Sequence, residues 1–228
     1  LAVDSEDIGR RVVLGAVLGD SSTSDPEMLM QEAEMALSSA KRQQAARYVV
    51  FKPEMRETLH RRMQLQRDMR EGLKRNEFEL LYQPQLDLKQ NTLVGAEALI
   101  RWNHPERGVV SPAEFIPVAE ESDLIIEITR WVLDKACAQA RQWQGAGWQN
   151  FRVSVNLSAK HFESPTIDAD IQTALTLNQL SPELLELELT ESALLEADTE
   201  LPKLLERWSQ QGISLAIDDF GTGYSNLS

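Results

Sequence analysis

Four residues of this 228-residue chain invite a chemical explanation: Glu97, Asn156, Glu188 and Asp218. The last three stand near the C-terminal ends of short segments in which aliphatic and polar side chains alternate, the period of an extended strand, and Glu97 occupies the corresponding late position in the segment Leu93–Leu99. In 152–158, Val153, Val155 and Leu157 share one face, and Ser154, Asn156 and Ser158 share the other. Leu185, Leu187 and Leu189 alternate likewise with Glu186, Glu188 and Thr190, and Ile213, Leu215 and Ile217 with Ser214, Ala216 and Asp218. The last three members recur at intervals of 32 and 30 residues, about one strand–helix unit each. Three carboxylates and an amide brought together, with Asp219 next in the chain, would repel one another and forfeit hydration. A hard divalent cation offsets both penalties, and an all-oxygen set without His or Cys points to Mg2+ or Mn2+ rather than zinc. The consecutive Asp218 and Asp219 could hold two ions, an arrangement suited to in-line attack on a phosphodiester. Taken singly, each residue has an ordinary explanation as an exposed polar group. The shared position on four strands carries the inference.

Such convergence needs strands that run side by side. After a polar turn at Lys89, Gln90 and Asn91, the segments Glu79–Gln83 and Leu93–Leu99 predict an antiparallel pair. Helices are then expected near Leu124–Trp143, Ile167–Leu177 and Glu200–Gln210, alternating with strands over Arg152–Ser158, Leu184–Leu189 and Ile213–Asp218. Repeated strand then helix predicts a parallel α/β sheet or barrel, and in a barrel the four residues would meet at the C-terminal mouth. Upstream, a strand over 11–19, a helix capped by Asp25 with Pro26 at its first position, and a strand over Tyr48–Phe51 form a smaller α/β segment. Between them, Glu54–Lys74 predicts an amphipathic connecting helix with Met55, Leu59, Met63, Met69 and Leu73 on its apolar stripe. A coiled-coil signalling helix is the alternative for that stretch.

Composition narrows the function further. A net charge of −13 argues against a polynucleotide partner, since no basic patch is visible. No apolar run approaches the roughly 20 residues that cross a bilayer, and no signal pattern opens the chain. A cytoplasmic protein without membrane contact in this chain is expected, with room for an upstream membrane or sensory domain. The single Cys137 sits among Ala136, Ala138 and Ala140 and reads as a small buried hydrophobe. His104 and His161 lack a partner at ligand spacing and read as structural or solvent-facing. Leu1 at the start and a Gly-rich stretch just before Ser228 suggest that both ends are cut from a longer protein.

Around these residues stands an ordered series of motifs: Tyr82-Gln83-Pro84-Gln85, Glu97-Ala98-Leu99, Arg101-Trp102, His104-Pro105, and Phe115-Ile116-Pro117-Val118-Ala119-Glu120. Val155-Asn156-Leu157-Ser158, Glu188-Leu189-Thr190-Glu191 and Asp218-Asp219-Phe220-Gly221-Thr222-Gly223-Tyr224-Ser225 complete it. Over Phe78–Ser228 the series resembles the EAL phosphodiesterase domain. More loosely, Glu32-Ala33-Glu34-Met35-Ala36-Leu37, Ala40-Lys41 and Arg47-Tyr48 resemble the last helix and strand of a GGDEF domain. The resemblance implies residues 1–53 as the end of a GGDEF domain, 54–74 as a connecting helix and 75–228 as the first part of an EAL barrel. The implied fold is α/β: an incomplete TIM-like (β/α) barrel with an antiparallel first strand, preceded by a small α/β fragment.

The implied activity is hydrolysis of cyclic-di-GMP to pGpG with two Mg2+ or Mn2+ ions. By resemblance, Glu97, Asn156, Glu188, Asp218 and Asp219 are the metal ligands, and Glu97, Asp218, Asp219 and Glu191 the catalytic set, with Glu191 anchoring the loop from Asp218 to Ser225. Gln83, Leu99 and Arg101 are the implied substrate contacts, Arg101 through its cationic fork. A Lys, a Glu and a Gln of the family fall beyond Ser228, so this chain alone is expected to be inactive, while the matching metal-site residues imply an active parent protein. Association of two copies, cyclase competence and sensory input stay open. A cyclic-di-GMP receptor that does not cleave its ligand is the alternative function, and an unrelated divalent-metal barrel enzyme a third.

Overall fold

Apolar periodicity changes from two to about 3.6 and back along the chain, and strands and helices follow it. The computed structural model describes residues 12–19, 25–42, 47–190 and 201–218. The chain divides into two units, Leu1–Leu65 and Gln66–Ser228.

In the first unit, β1 (Leu14–Ala16) and β2 (Tyr48–Val50) pair in parallel, with α1 (Pro26–Arg42) between them in sequence. Asp25 caps that helix as its position predicts, its Oδ1 accepting the Glu27 N–H at 3.0 Å. Ala36 and Ala40 are buried on its inner face. Helix α2 (Pro53–Lys74) follows, and its Arg56 pairs with Glu32 of α1 at 2.7 Å. The stripe expected on α2 is corrected at one place. Met63 is 52% exposed and Leu65 is buried instead. Steps of four residues overshoot a 3.6-residue turn by about 40° each, so two steps from Met55 carry Met63 off the buried face.

The second unit is built on one sheet. Strands β3 (Phe78–Asp87), β4 (Thr92–His104), β6 (Arg152–Leu157), β7 (Leu185–Thr190) and β8 (Ser214–Asp218) lie side by side in that order, and β5 (Gly108–Val110) pairs with β4. β3 and β4 are antiparallel, while β4, β6, β7 and β8 are parallel. The sequence thus predicts both the hairpin and the parallel set. Val153, Val155, Leu157, Leu185, Leu187 and Leu189 are all buried. Helix α4 (Leu124–Gly145) packs on β6 and on α6 (Ile167–Leu177), burying Leu124, Ile128, Leu133 and Cys137. Phe78 stacks on Trp102 at 5.2 Å between ring centres, and Phe115 meets both edge-on.

Among the described residues, four short elements lie outside the sequence expectations: β5, α3 (Pro112–Glu120), α5 (Ala159–Phe162) and a 3-10 turn at Pro182–Leu184. Helix α3 carries Pro112 at its start and Pro117 inside, and a Pro inside a segment reads as a helix break. Helix α7 (Leu201–Gln210) buries Trp208, whose indole donates to Asp168 at 2.9 Å. Cys137 is buried, and burial pushes its thiol up to about 12, which removes it as a nucleophile at neutral pH. His104 is structural: Nδ1 accepts the Glu106 and Arg107 N–H groups, and Nε2 faces Asp68 at 3.5 Å.

His161 is structural too, and fully buried. Its Nε2 donates to Asp170 at 3.1 Å, while Nδ1 has no hydrogen-bond partner. Burial holds the imidazole below its ordinary 6.5, against the opposing hydrogen bond and charge of Asp170. Burial alone would raise Asp170, but hydrogen bonds from Arg130, His161 and Thr166 hold it below 3.8. The folded state therefore refuses a proton that the unfolded histidine accepts, and stability intact above pH 6.5 is lost as the pH falls below it. Followed from about pH 7.5 to 5.5, the melting temperature of the unaltered protein is expected to fall relative to that of His161→Gln, a comparison in which the contributions of groups common to both proteins cancel. An unchanged slope in the variant would remove His161 as the source of the loss.

Candidate functional site

Strand register decides which side chains meet. On β4, Glu97, Leu99 and Arg101 alternate onto one face. Ser154 of β6 stands opposite Glu97, Glu188 of β7 opposite Asn156, and Asp218 of β8 opposite Thr190. Asn156 Nδ2 donates to Glu97 Oε1 at 2.7 Å across two neighbouring strands. Glu188 is nearly buried, at 9% exposure. Its carboxyl is pushed up to about 7, first by burial and then by the charges of Glu97, Asp218 and Glu186, with the Ser154 hydroxyl opposing. Glu97, Asn156, Glu188 and Asp218 thus meet at the C-terminal ends of four adjacent parallel strands. Glu191 and Asp219 lie outside the described residues.

The donor chemistry fits a hard divalent cation. All four groups offer oxygen and three are carboxylates, and burial, then the charges of Glu97, Asp218 and Glu186, raises the Glu188 carboxyl. Among the described residues no three His, Cys, Asp or Glu side chains form a ready metal cage. Glu97 is engaged with the Asn156 amide.

The residues matched to substrate contacts surround this cup. Gln83 pairs in register with Glu97 on the neighbouring β3 and is exposed. Leu99 and Arg101 line a cavity of about 330 Å³ together with Asn156, Ser158, Ile116 and Ile128. Its walls come from the ends of β4 and β6 and from α3 and α4. Arg101 Nη1 donates to the Ile100 carbonyl at 2.8 Å. At the rim, Ser158 Oγ donates to Glu120 Oε1 at 2.8 Å. Both residues stand in the motif series, yet nothing in their spacing announces that they touch. Also missed is a row beneath the cup, Gln85, Ser154, Glu186 and Arg152. Its one sequence signal is the alternation that puts Ser154 on the polar face of β6.

The EAL domain family model matches residues 66–228. The chain belongs to the EAL domain family. Among curated relatives, a bifunctional diguanylate cyclase/cyclic di-GMP phosphodiesterase of Pseudomonas aeruginosa, MucR, is 40% identical over 210 residues, 92% of this chain and 30% of its own length. The cyclic di-GMP phosphodiesterase PdeR of Escherichia coli is 34% identical over 215 residues, 94% of this chain and 32% of its own. The chain therefore spans about a third of these relatives. A solved structure of the MucR phosphodiesterase in complex with c-di-GMP is 41% identical, with a TM-score of 0.68 over 71% of this chain and 66% of that one. The hairpin and parallel strands described above are this EAL domain's α/β architecture, in a family of TIM-like barrels.

Crowding at Glu188 has a measurable cost in the EAL domain without added metal. A carboxyl raised above its ordinary 4.5 favours the folded state in acid and disfavours it as the pH rises through about 7. Glu188→Gln is expected to stabilise the fold at about pH 8, by on the order of 3 kcal/mol at most and read as a higher melting temperature, and to change little at about pH 4. Equal melting of the two proteins at both pH values would show that Glu188 is not under this strain.

Proposed function

We propose that the chain is part of a phosphodiesterase that hydrolyses cyclic-di-GMP to pGpG with Mg2+ or Mn2+. The observation that carries the reading is the convergence of Glu97, Asn156, Glu188 and Asp218 beside a cavity lined by Arg101. The names of the relatives and the cyclic-di-GMP complex of MucR support the substrate. When bound, a divalent cation lowers the pKa of water and offsets the charge of a phosphodiester. Glu97, Asn156, Glu188 and Asp218 would hold it, and Asp219 would serve a second ion. Arg101 offers a fixed cationic fork to a phosphate oxygen. Gln83 offers an amide on the strand beside Glu97, and the apolar wall at Leu99, Ile116 and Ile128 gives a flat nucleobase a dry surface. Glu191 would anchor the loop after Asp218.

Residues 1–53 are proposed as the end of a GGDEF domain and 54–74 as a connecting helix. The strand, helix, strand order of the first unit supports this, as does the match to the bifunctional MucR, which is longer than residues 66–228 alone. The full-length gene product incubated with cyclic-di-GMP and Mn2+ is expected to release pGpG, and Glu97→Ala to abolish release. Tight binding without turnover in the unaltered protein would overturn hydrolysis in favour of a receptor. Retained turnover in Glu97→Ala would take Glu97 out of the metal site.

A further inference from the structure

One layer beneath the cup a hydrogen-bonded row crosses the sheet. Ser154, fully buried, donates to Glu186 Oε1 at 2.7 Å and accepts from Gln85 Nε2 at 3.2 Å. Arg152 continues the row, with Nη1 at 3.5 Å from Glu186 Oε2 and donating to Ser214 Oγ at 3.1 Å. Gln85 belongs to β3 and Ser154 to β6, with β4 between them in the sheet. The side chain can span that gap because β4 carries Gly95 at the crossing. A Cβ at Gly95 would stand 3.0 Å from Gln85 Oε1 and 2.8 Å from the Arg152 carbonyl oxygen.

The placement of Ser154 is specific. It stands opposite Glu97 on β4 and opposite Glu186 on β7, two residues before Asn156, which in turn stands opposite Glu188. Alternation puts all five side chains on one face of the sheet. Ser154 is therefore the floor on which the Glu97, Asn156 and Glu188 cup rests. From that floor it ties down Glu186, a carboxylate whose negative charge lies beneath Glu188. Arg152 offsets that charge from the other side. An alanine at 154 would leave Gln85 and Glu186 short of a partner in a part-buried layer, where unpaired polar groups are costly.

We infer that Ser154 is a positioning residue for the cation cup: its hydroxyl, clamped between Gln85 and Glu186, fixes the oxygens of Glu97, Asn156 and Glu188 in the places from which they grip a divalent ion. The inference rests on the proposed metal reading of that site. It follows from how groups beneath metal ligands orient them, and their loss typically lowers metal affinity by about 10- to 100-fold.

The test is calorimetric titration of the full-length gene product with Mn2+ alone, well below its melting temperature. Ser154→Ala is expected to bind Mn2+ about tenfold or more weakly, and Ser154→Thr, which keeps the hydroxyl, to bind like the unaltered protein. A residue with a merely structural role would lower the melting temperature and leave the affinity of the folded protein alone. Wild-type affinity in Ser154→Ala, or equal weakening in both variants, would overturn the inference. Should Ser154→Ala fail to fold, Gln85→Met breaks the same row from the partly exposed strand β3, and unchanged Mn2+ affinity in it overturns the inference equally. Absence of Mn2+ binding by the unaltered protein would instead defeat the metal reading itself, and the positioning role with it.

Discussion

Everything near the strand ends answers to one unfavourable fact: Glu188 is buried beside three other carboxylates, those of Glu97, Asp218 and Glu186. Burial and like charge both raise its pKa to about 7. A protein does not accumulate such a cost by accident in its core, because burying an unpaired charge is among the most destabilising things a sequence can do. The sheet makes the arrangement obligatory. Glu188 stands opposite Asn156 by backbone register, and Asn156 in turn holds Glu97 at 2.7 Å. Turning any of the three to the other face would require a register slip, and a slip of one residue would turn the whole apolar set of that strand toward water.

That apolar set is what holds the register. Val153, Val155 and Leu157 on β6 and Leu185, Leu187 and Leu189 on β7 are almost completely buried. Their burial contributes roughly 1.5–3 kcal/mol per side chain, so the pair of strands can carry the crowded acids on the opposite face. The two faces thus divide the work between stability and chemistry. Unfavourable electrostatics is confined to the side of the sheet that presents the candidate site.

Much of this division was legible in the sequence, because period-two alternation states which residues share a face before any fold is known. Asn156, Glu188 and Asp218 could be grouped for that reason. What could not be read depends on which strands become neighbours. Gln85 reaches Ser154 only because β4 lies between β3 and β6 with Gly95 at the crossing. No local pattern encodes a contact between residues 69 apart. Helix α3 was hidden by Pro117, and Met63 was placed on the wrong face because equal steps of four do not track a helical turn. Ser158 and Glu120 belong to separate motifs, and their contact appears only once β6 and α3 are folded together.

On the proposed function, the balance of charge around the site would set the order in which its ligands arrive. The chain is acidic, at −13 overall, and the cup adds Glu97, Glu188 and Asp218 at one point. An anionic phosphodiester approaching that cup alone meets repulsion at the very atoms it must reach. Arg101 on the cavity side supplies one positive charge, too few to offset three carboxylates. On the proposed function, then, the cation must be in place before a phosphate oxygen can approach. It would draw Glu188 into the ionised form and invert the local field. On that reading the apolar wall of the cavity and the acidic cup would act in sequence: the wall could hold a base at any time, whereas the cup would attract the phosphate only once the crowding that marks it out had been relieved.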